Sequence, residues 1–177
     1  MDVFEIKEAL ETFRIIADTR EQRTARASKR FESFGCPVER GTLDYGDYCA
    51  NITLPGGDLL GTAGRIRATC VIERKMSLDE LASCFTRDRE RFQREFQRAR
   101  DAGARVYLLT EDGSWEAIIQ HRYRSRFNTN AFLASITAWS SRYGIVPLFC
   151  HHAVSGRIIR EFLYRDMKER LEHGEFG

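Results

Sequence analysis

Val71-Ile72-Glu73-Arg74-Lys75-Met76-Ser77-Leu78-Asp79 begins as a short apolar strand, turns charged within one step and runs straight into a helix. On a strand, side chains at i and i+2 share a face, roughly 6–7 Å apart. Glu73 and Lys75 therefore point the same way, and Arg74 points to the opposite face. An acid and an amine together at the end of a buried strand are costly in a fold that does not use them. The commoner meaning of an isolated Glu-Arg-Lys triplet is a strand end reaching solvent. Other acids placed to join it decide between the two.

Upstream, residues 1–12 read as a short helix or tail, and Arg14–Asp18 as a buried strand ending on an acid. A helix is expected over 22–34, with Ala25, Phe31 and Phe34 opposing Arg23, Arg26, Lys29 and Arg30, and Gly35 stopping it. Val38–Leu43 and 48–54 read as two strands of a hairpin or meander around Asp44-Tyr45-Gly46-Asp47, where Gly46 supplies the turn. The glycine-dotted stretch to Gly64 is a loop, and without Gly-Lys-Ser/Thr it is no phosphate-binding P-loop.

Downstream, one helix is expected from the Ser77 or Asp79 cap to Ala102, with Leu81, Phe85, Phe92, Phe96 and Ala99 on its buried side. Its other side, Arg87, Arg89, Arg91, Arg94 and Arg98 interleaved with Asp88, Glu90 and Glu95, reads as a solvated charge face. A strand over 105–110, a short helix over 115–120 and a basic run over 121–126 follow. A helix capped by Asn128 or Asn130 comes next, then a strand at 144–149 whose Pro147 favours an edge, and a last helix over 154–172. This order implies an α/β protein with a mixed central sheet flanked by helices, in a single domain over 1–177.

The 177 residues suffice for one well-packed core. Net charge is only +2 although 31% of residues are charged, and arginine dominates the cations, favouring bidentate contacts to phosphate or carboxylate. Five scattered cysteines, odd in number and never in a CxxC pair, suggest no zinc or disulfide framework. The N-terminus lacks a signal-peptide pattern and no stretch approaches a membrane span. The expectation is a reduced, cytoplasmic or otherwise intracellular protein, nucleoid-associated if bacterial or phage.

Asp18, Asp47 and Glu73 each fall at a strand end or strand turn. Hard oxygen ligands of this kind suit Mg2+ or Mn2+, and a metal so held can polarise a phosphodiester and acidify a bound water. Lys75 beside it would position or help deprotonate that water, or stabilise the developing charge.

Gly46-Asp47, then Glu73-Arg74-Lys75 and, after three intervening residues, Asp79, resembles the GD…ERKxxxD signature of the XPF-type structure-specific endonucleases. Asp18-Thr19-Arg20-Glu21 resembles that family's D-x-R-E element, and Leu43 with Gly46-Asp47-Tyr48 its L-x-x-G-D-Y pattern. The resemblance implies a restriction-endonuclease-like fold and divalent-metal cleavage of branched, flapped or junction DNA. It implies that Asp18, Asp47 and Glu73 hold the metal and that Lys75 is the catalytic lysine. Arg20 and Arg74 would be structural or substrate-facing cations, and Asp79 a supporting acid. Glu21 either binds metal or orients Arg20, and Asp44 is turn chemistry. The family's frequent helix-hairpin-helix and helicase-like domains are absent from the expectation, which is a standalone nuclease domain.

Arg23, Arg26 and Arg30 on the first basic helix, and Arg122, Arg124 and Arg126 in the 121–126 run, are candidate DNA contacts against a solvated-face alternative. His151-His152 has no acid or cysteine at ligand spacing and reads as a surface pair. Surplus apolar residues on the last helix leave room for a homodimer. Two rival functions stay open: a non-catalytic DNA- or partner-binding module, and a junction-resolving or restriction-like nuclease of the same fold.

Overall fold

Alternation of side chains across one sheet divides the apolar residues between two cores. In the computed structural model, which describes residues 1–22, 24–60 and 64–174, the chain opens with α1 (Val3–Glu11), β1 (Arg14–Asp18), α2 (Ala25–Phe34), β2 (Val38–Leu43) and β3 (Tyr48–Asn51). A two-stranded excursion of β4 (Thr53–Leu54) and β5 (Gly57–Asp58) precedes β6 (Arg65–Ile66), β7 (Cys70–Lys75), α3 (Leu78–Phe85) and α4 (Arg89–Asp101). The chain closes with β8 (Arg105–Glu111), α5 (Trp115–Ile119), α6 (Thr129–Tyr143), β9 (Val146–Cys150), a 3-10 turn at His152–Val154 and α7 (Ser155–Glu172).

Seven strands form a mixed sheet in the order β6-β2-β1-β3-β7-β8-β9. Its β3 runs antiparallel to both neighbours, β1 and β7, while β1–β2, β2–β6, β7–β8 and β8–β9 are parallel. Ile16, Cys49, Val71 and Leu108 face α3, α4 and α6, where Phe85, Phe96, Phe132 and Trp139 complete one core. Ile15, Tyr48, Ile72 and Leu109 face the other side, packed with Phe34 of α2 and Ile159 and Leu163 of α7. The expected α/β fold with a mixed sheet between helices is what the chain adopts. Pro147 lies on β9, the edge strand, where its missing N–H is tolerated.

Three expectations of connectivity are corrected. The segments over 38–43 and 48–54 are not a hairpin, because β1 lies between β2 and β3, parallel to the first and antiparallel to the second. The long helix is two helices: α3 ends at Phe85, with Thr86 as its C-cap, and α4 starts at Arg89. The first basic helix begins at Ala25, capped by the Thr24 side chain, rather than at 22.

Candidate active site

Three backbone devices bring the acids together. Asp47 N–H donates to the Ile72 carbonyl and Asp18 N–H donates to the Asp47 carbonyl, each at 2.8 Å, so the turn before β3 is laced to β7 and β1. Gly46 has φ of +74°, and a Cβ there would stand 2.8 Å from Val71 Cβ, so only glycine lets the turn lie against β7. Ser77 caps α3 by accepting the Glu80 N–H, ending β7 immediately after Lys75.

Glu73 and Lys75 share the face toward α4, and Arg74 takes the opposite one. The Lys75 ammonium donates to Glu73 Oε1 and stands 4.3 Å from the centre of the Phe92 ring. A cleft of about 360 Å³ receives Asp47, Glu73, Lys75, Arg20, Arg91 and Glu95 on its walls.

The carboxylates differ in how much of their hydrogen-bonding capacity the protein consumes. Asp47 Oδ2 accepts the Arg74 backbone N–H at 2.7 Å, Glu73 Oε1 accepts from Lys75, and Glu95 Oε1 accepts the Gly46 N–H at 3.0 Å. The second oxygen of each has no protein donor among the described residues. Three spare carboxylate oxygens on one cleft are hard donors of the type divalent cations take, although among the described residues only the trio Asp112, His151 and His152 brings its ligand atoms within 4.8 Å of one another without a metal.

Asp18 is different. Its Oδ1 takes the Arg20 backbone N–H and Nε at 2.7 Å each, and its Oδ2 takes the Leu43 N–H at 2.8 Å and Arg20 Nη2 at 3.1 Å. It is fully buried and absent from the cleft wall. The expectation that Asp18 is a metal ligand is therefore corrected: its oxygens are committed to Arg20, whose half-exposed guanidinium carries positive charge into the cleft.

Electrostatics follow from the crowding. Burial, and then the neighbouring Glu73 charge, push the Asp47 carboxyl up to about 7. Burial also raises Glu73. For Lys75 burial opposes the charge, but the Glu73 carboxylate overcomes it and holds the ammonium well above its ordinary value. Lys75 is thus held as a cation, the form suited to stabilising negative charge.

Arg74 turns its guanidinium beneath the sheet to Glu111 Oε2 at 3.2 Å and Glu21 Oε1 at 3.3 Å. Arg30 joins the same pair, with Nη1 3.0 Å from Glu21 Oε1 and Nη2 3.1 Å from Glu111 Oε1, and Tyr48 O–H donates to Glu21 at 2.9 Å. Two carboxylates and two guanidiniums thus pair with one another at the back of the cleft. Arg30, expected to meet DNA phosphates, is buried in this network, with only its edge on the cleft wall. Glu21 holds Arg74 and Arg30 rather than orienting Arg20. Arg26 lines the cleft while bridging Glu111 at 2.9 Å and Asp112 at 3.1 Å. Arg23 lies outside the described residues.

Further readings are revised. Asp79 is not a member of the cleft; it accepts N–H groups from Arg124 and Ser125 in the 121–126 run. Arg122, Arg124 and Arg126 are exposed, as a DNA contact requires. Asp44 is no mere turn residue, since Arg65 and Arg67 pair with its buried carboxylate at 3.2 Å each. His151-His152 does gain an acid, because β8 and β9 end side by side: His152 Nδ1 lies 2.9 Å from Asp112 Oδ2. That carboxylate is shared with Arg26, and His151 Nδ1 accepts the Ala153 N–H, so the trio is a hydrogen-bonded joint between the two strand ends. Sequence reasoning missed Glu95 and Glu111. Glu95 was legible, being three residues after Phe92 and four before Ala99, within the buried stripe. All five cysteines are free, and among the described residues no helix is long and apolar enough to cross a membrane.

No curated protein matches the chain. Among the solved structures that share its fold are two of one XPF. XPF from Aeropyrum pernix aligns with a TM-score of 0.60 at 22% identity, over 92% of this chain and 69% of that one. The same protein in complex with DNA aligns with a TM-score of 0.59 at 24% identity, over 89% and 66% respectively. The family model described as the ERCC4 domain matches residues 17–160, which take in the end of β1 with Asp18, the Asp47 turn, β7 and the basic run. The chain belongs to the ERCC4 domain family.

Proposed function

We propose that this chain is a divalent-metal-dependent DNA endonuclease that hydrolyses phosphodiesters in branched, flapped or junction DNA. The observation that carries the reading is the cleft in which Asp47, Glu73 and Glu95 each keep one unengaged oxygen beside a lysine held as a cation. ERCC4 membership and the likeness to an XPF bound to DNA support it.

Asp47 and Glu73, with Glu95 as the third donor, would hold Mg2+ or Mn2+, which when bound polarises the phosphate and acidifies a water. The Lys75 ammonium, fixed by Glu73 and Phe92, stabilises charge developing on the phosphate oxygens. Arg20, steered by Asp18, and Arg91 neutralise the incoming backbone. Arg74 acts from beneath: its backbone N–H orients Asp47 while its guanidinium braces the strand.

The test is incubation of labelled flap, fork, four-way junction and plain duplex DNA with Mg2+, Mn2+ or EDTA, alongside Asp47→Ala and Glu73→Ala. Branched substrates are cut only with metal, and both substitutions abolish cutting while binding survives. Binding without cutting of any substrate would assign the chain to the non-catalytic class. Sequence-defined cutting of plain duplex would make it restriction-like.

A further inference from the structure

The acid four residues after Lys75 works away from the cleft. Asp79 stands in the first turn of α3, and its Oδ1 accepts the backbone N–H of Arg124 at 2.8 Å and of Ser125 at 2.6 Å. Oδ2 lies 3.4 Å from Arg124 Nε. Successive N–H groups converging on one anion make a concavity that fixes the local backbone.

The segment held in this way is ordered by its own side chains. His121, at φ 52°, stacks on Tyr123 with ring centres 4.2 Å apart, and its Nε2 lies 3.1 Å from the Ser125 carbonyl. Tyr123 O–H donates to the Phe127 carbonyl at 2.8 Å, and Phe127 packs on the core residue Phe132. Tyr123, Ser125 and Phe127 are turned partly inward, while Arg122, Arg124 and Arg126 are exposed, the Arg124 side chain by 94%. Three outward guanidiniums thus alternate with inward anchors on a braced arm.

We propose that Asp79 is a positioning residue that sets this arginine arm against the catalytic strand, so that the arm takes the sugar-phosphate backbone of the DNA whose scissile phosphate lies at Glu73 and Lys75. The inference rests on the nuclease reading for the identity of the ligand. Its physical basis is covalent shortness: Lys75 ends β7, Ser77 caps α3, and Asp79 reaches the arm within one further helical turn. Asp79 is thus the anchor that ties the arm to the end of the catalytic strand, while Tyr123 and Phe127 fix it to the core, and alignment of a bound strand with the cleft depends on that tie.

The experiment measures binding of a fluorescein-labelled flap DNA by anisotropy in EDTA across a salt series, and single-turnover cleavage in Mn2+. The variants are Asp79→Ala, Asp79→Asn and the triple Arg122→Ala/Arg124→Ala/Arg126→Ala. The triple variant is expected to lower the salt slope by about three, one for each phosphate contact. Asp79→Ala weakens binding roughly tenfold with a smaller salt slope. Added to the triple variant it causes no further loss, and hydrogen exchange quickens over 121–127. Asp79→Asn keeps the oxygen that accepts both N–H groups and stays near wild type, so the test holds even if Asp79→Ala folds poorly. Unchanged binding and salt slope in the triple variant, or an Asp79→Ala loss that adds in full to it, overturns the proposal. Cleavage that depends on Asp47 but is indifferent to Asp79 and the arm leaves the nuclease reading standing and removes this one. Asp79-dependent binding with no cleavage of any substrate does the reverse.

Discussion

The backbone N–H of Arg74 donates to Asp47 Oδ2 at 2.7 Å while the Arg74 guanidinium is turned through the sheet to Glu111, 3.2 Å away. One residue thus holds a cleft carboxylate with its main chain and a buried carboxylate with its side chain. Strand alternation makes both possible: Glu73 and Lys75 are presented to the cleft, and the residue between them braces the strand from the other side.

The Asp47 carboxyl, pushed up to about 7 by burial and by Glu73, gives the metal-free protein a definite pH dependence. Folding raises its pKa, so the folded chain holds the proton more tightly than the unfolded one. That contribution is full below the ordinary carboxylate range and is lost as pH rises through about 7. At about 1.4 kcal/mol per unit the full contribution is about 4 kcal/mol, of which about 3 kcal/mol is lost between pH 5 and 8. Melting temperature in EDTA should therefore fall between pH 5 and 8, and Asp47→Asn should remove most of that fall. At pH 8, Mg2+ or Mn2+ should raise the melting temperature of wild type more than that of Asp47→Asn. Identical pH profiles for the two proteins would contradict the assignment.

The Glu73–Lys75 pair separates stability from chemistry. Removing one partner of a buried ion pair costs about 3–5 kcal/mol, whereas replacing both by neutral groups of similar size is close to neutral. Lys75→Met alone should lower urea stability substantially, and Lys75→Met with Glu73→Gln should recover most of the loss. Cleavage should be undetectable in both. Recovery of cleavage with recovery of stability would mean that the pair serves the fold alone.

Much of this site could be read from the chain because strand alternation is local. Glu73 and Lys75 on one face and Arg74 on the other follow from a period of two, and Gly46 declared its turn. What escaped reading was long-range. The insertion of β1 between β2 and β3 depends on pairing partners far apart in sequence, including Gly41, which pairs with Asp18 and where a Cβ would sit 2.8 Å from Ile16 Cγ2 of β1. The break at Thr86 left no trace because Phe85 and Phe92 remain seven apart, in phase with one unbroken helix. Asp18 carried the right residue type at a strand end, but only the fold reveals that Arg20 and Leu43 consume its oxygens. Arg30 looked like one cation of a solvated face because Glu111, its partner, lies 81 residues away.

Gly46 makes a backbone test of how closely the turn must lie against β7. Alanine at φ +74° is strained, and its Cβ would meet Val71 Cβ at 2.8 Å, with the Ile72 carbonyl oxygen at 3.3 Å. Since Gly46 N–H also binds Glu95 and its neighbour Asp47 binds Arg74, any shift moves two cleft carboxylates together. Gly46→Ala should cost about 2 kcal/mol or more in urea unfolding. Metal-dependent cleavage should fall further than the stability loss explains, and the metal concentration at half-maximal activity should rise. A destabilised variant with wild-type metal dependence would show that the cleft tolerates a displaced turn.

Glu111 is the acid on which three guanidiniums converge, from Arg26, Arg30 and Arg74, with no exposed surface of its own. Glu111→Gln keeps its shape but leaves an excess of buried positive charge, since Glu21 then faces Arg30 and Arg74 alone. Loss of one charge from a buried network of this kind costs about 3–5 kcal/mol. The loss should appear at every pH between 6 and 8 and should be unaffected by divalent metal, because Glu111 does not line the cleft. Arg26 offers the contrast: partly exposed, it should lose little stability as Arg26→Ala. Urea unfolding of the two variants side by side checks the ranking, and equal losses would mean that the network is held by its rim rather than by Glu111.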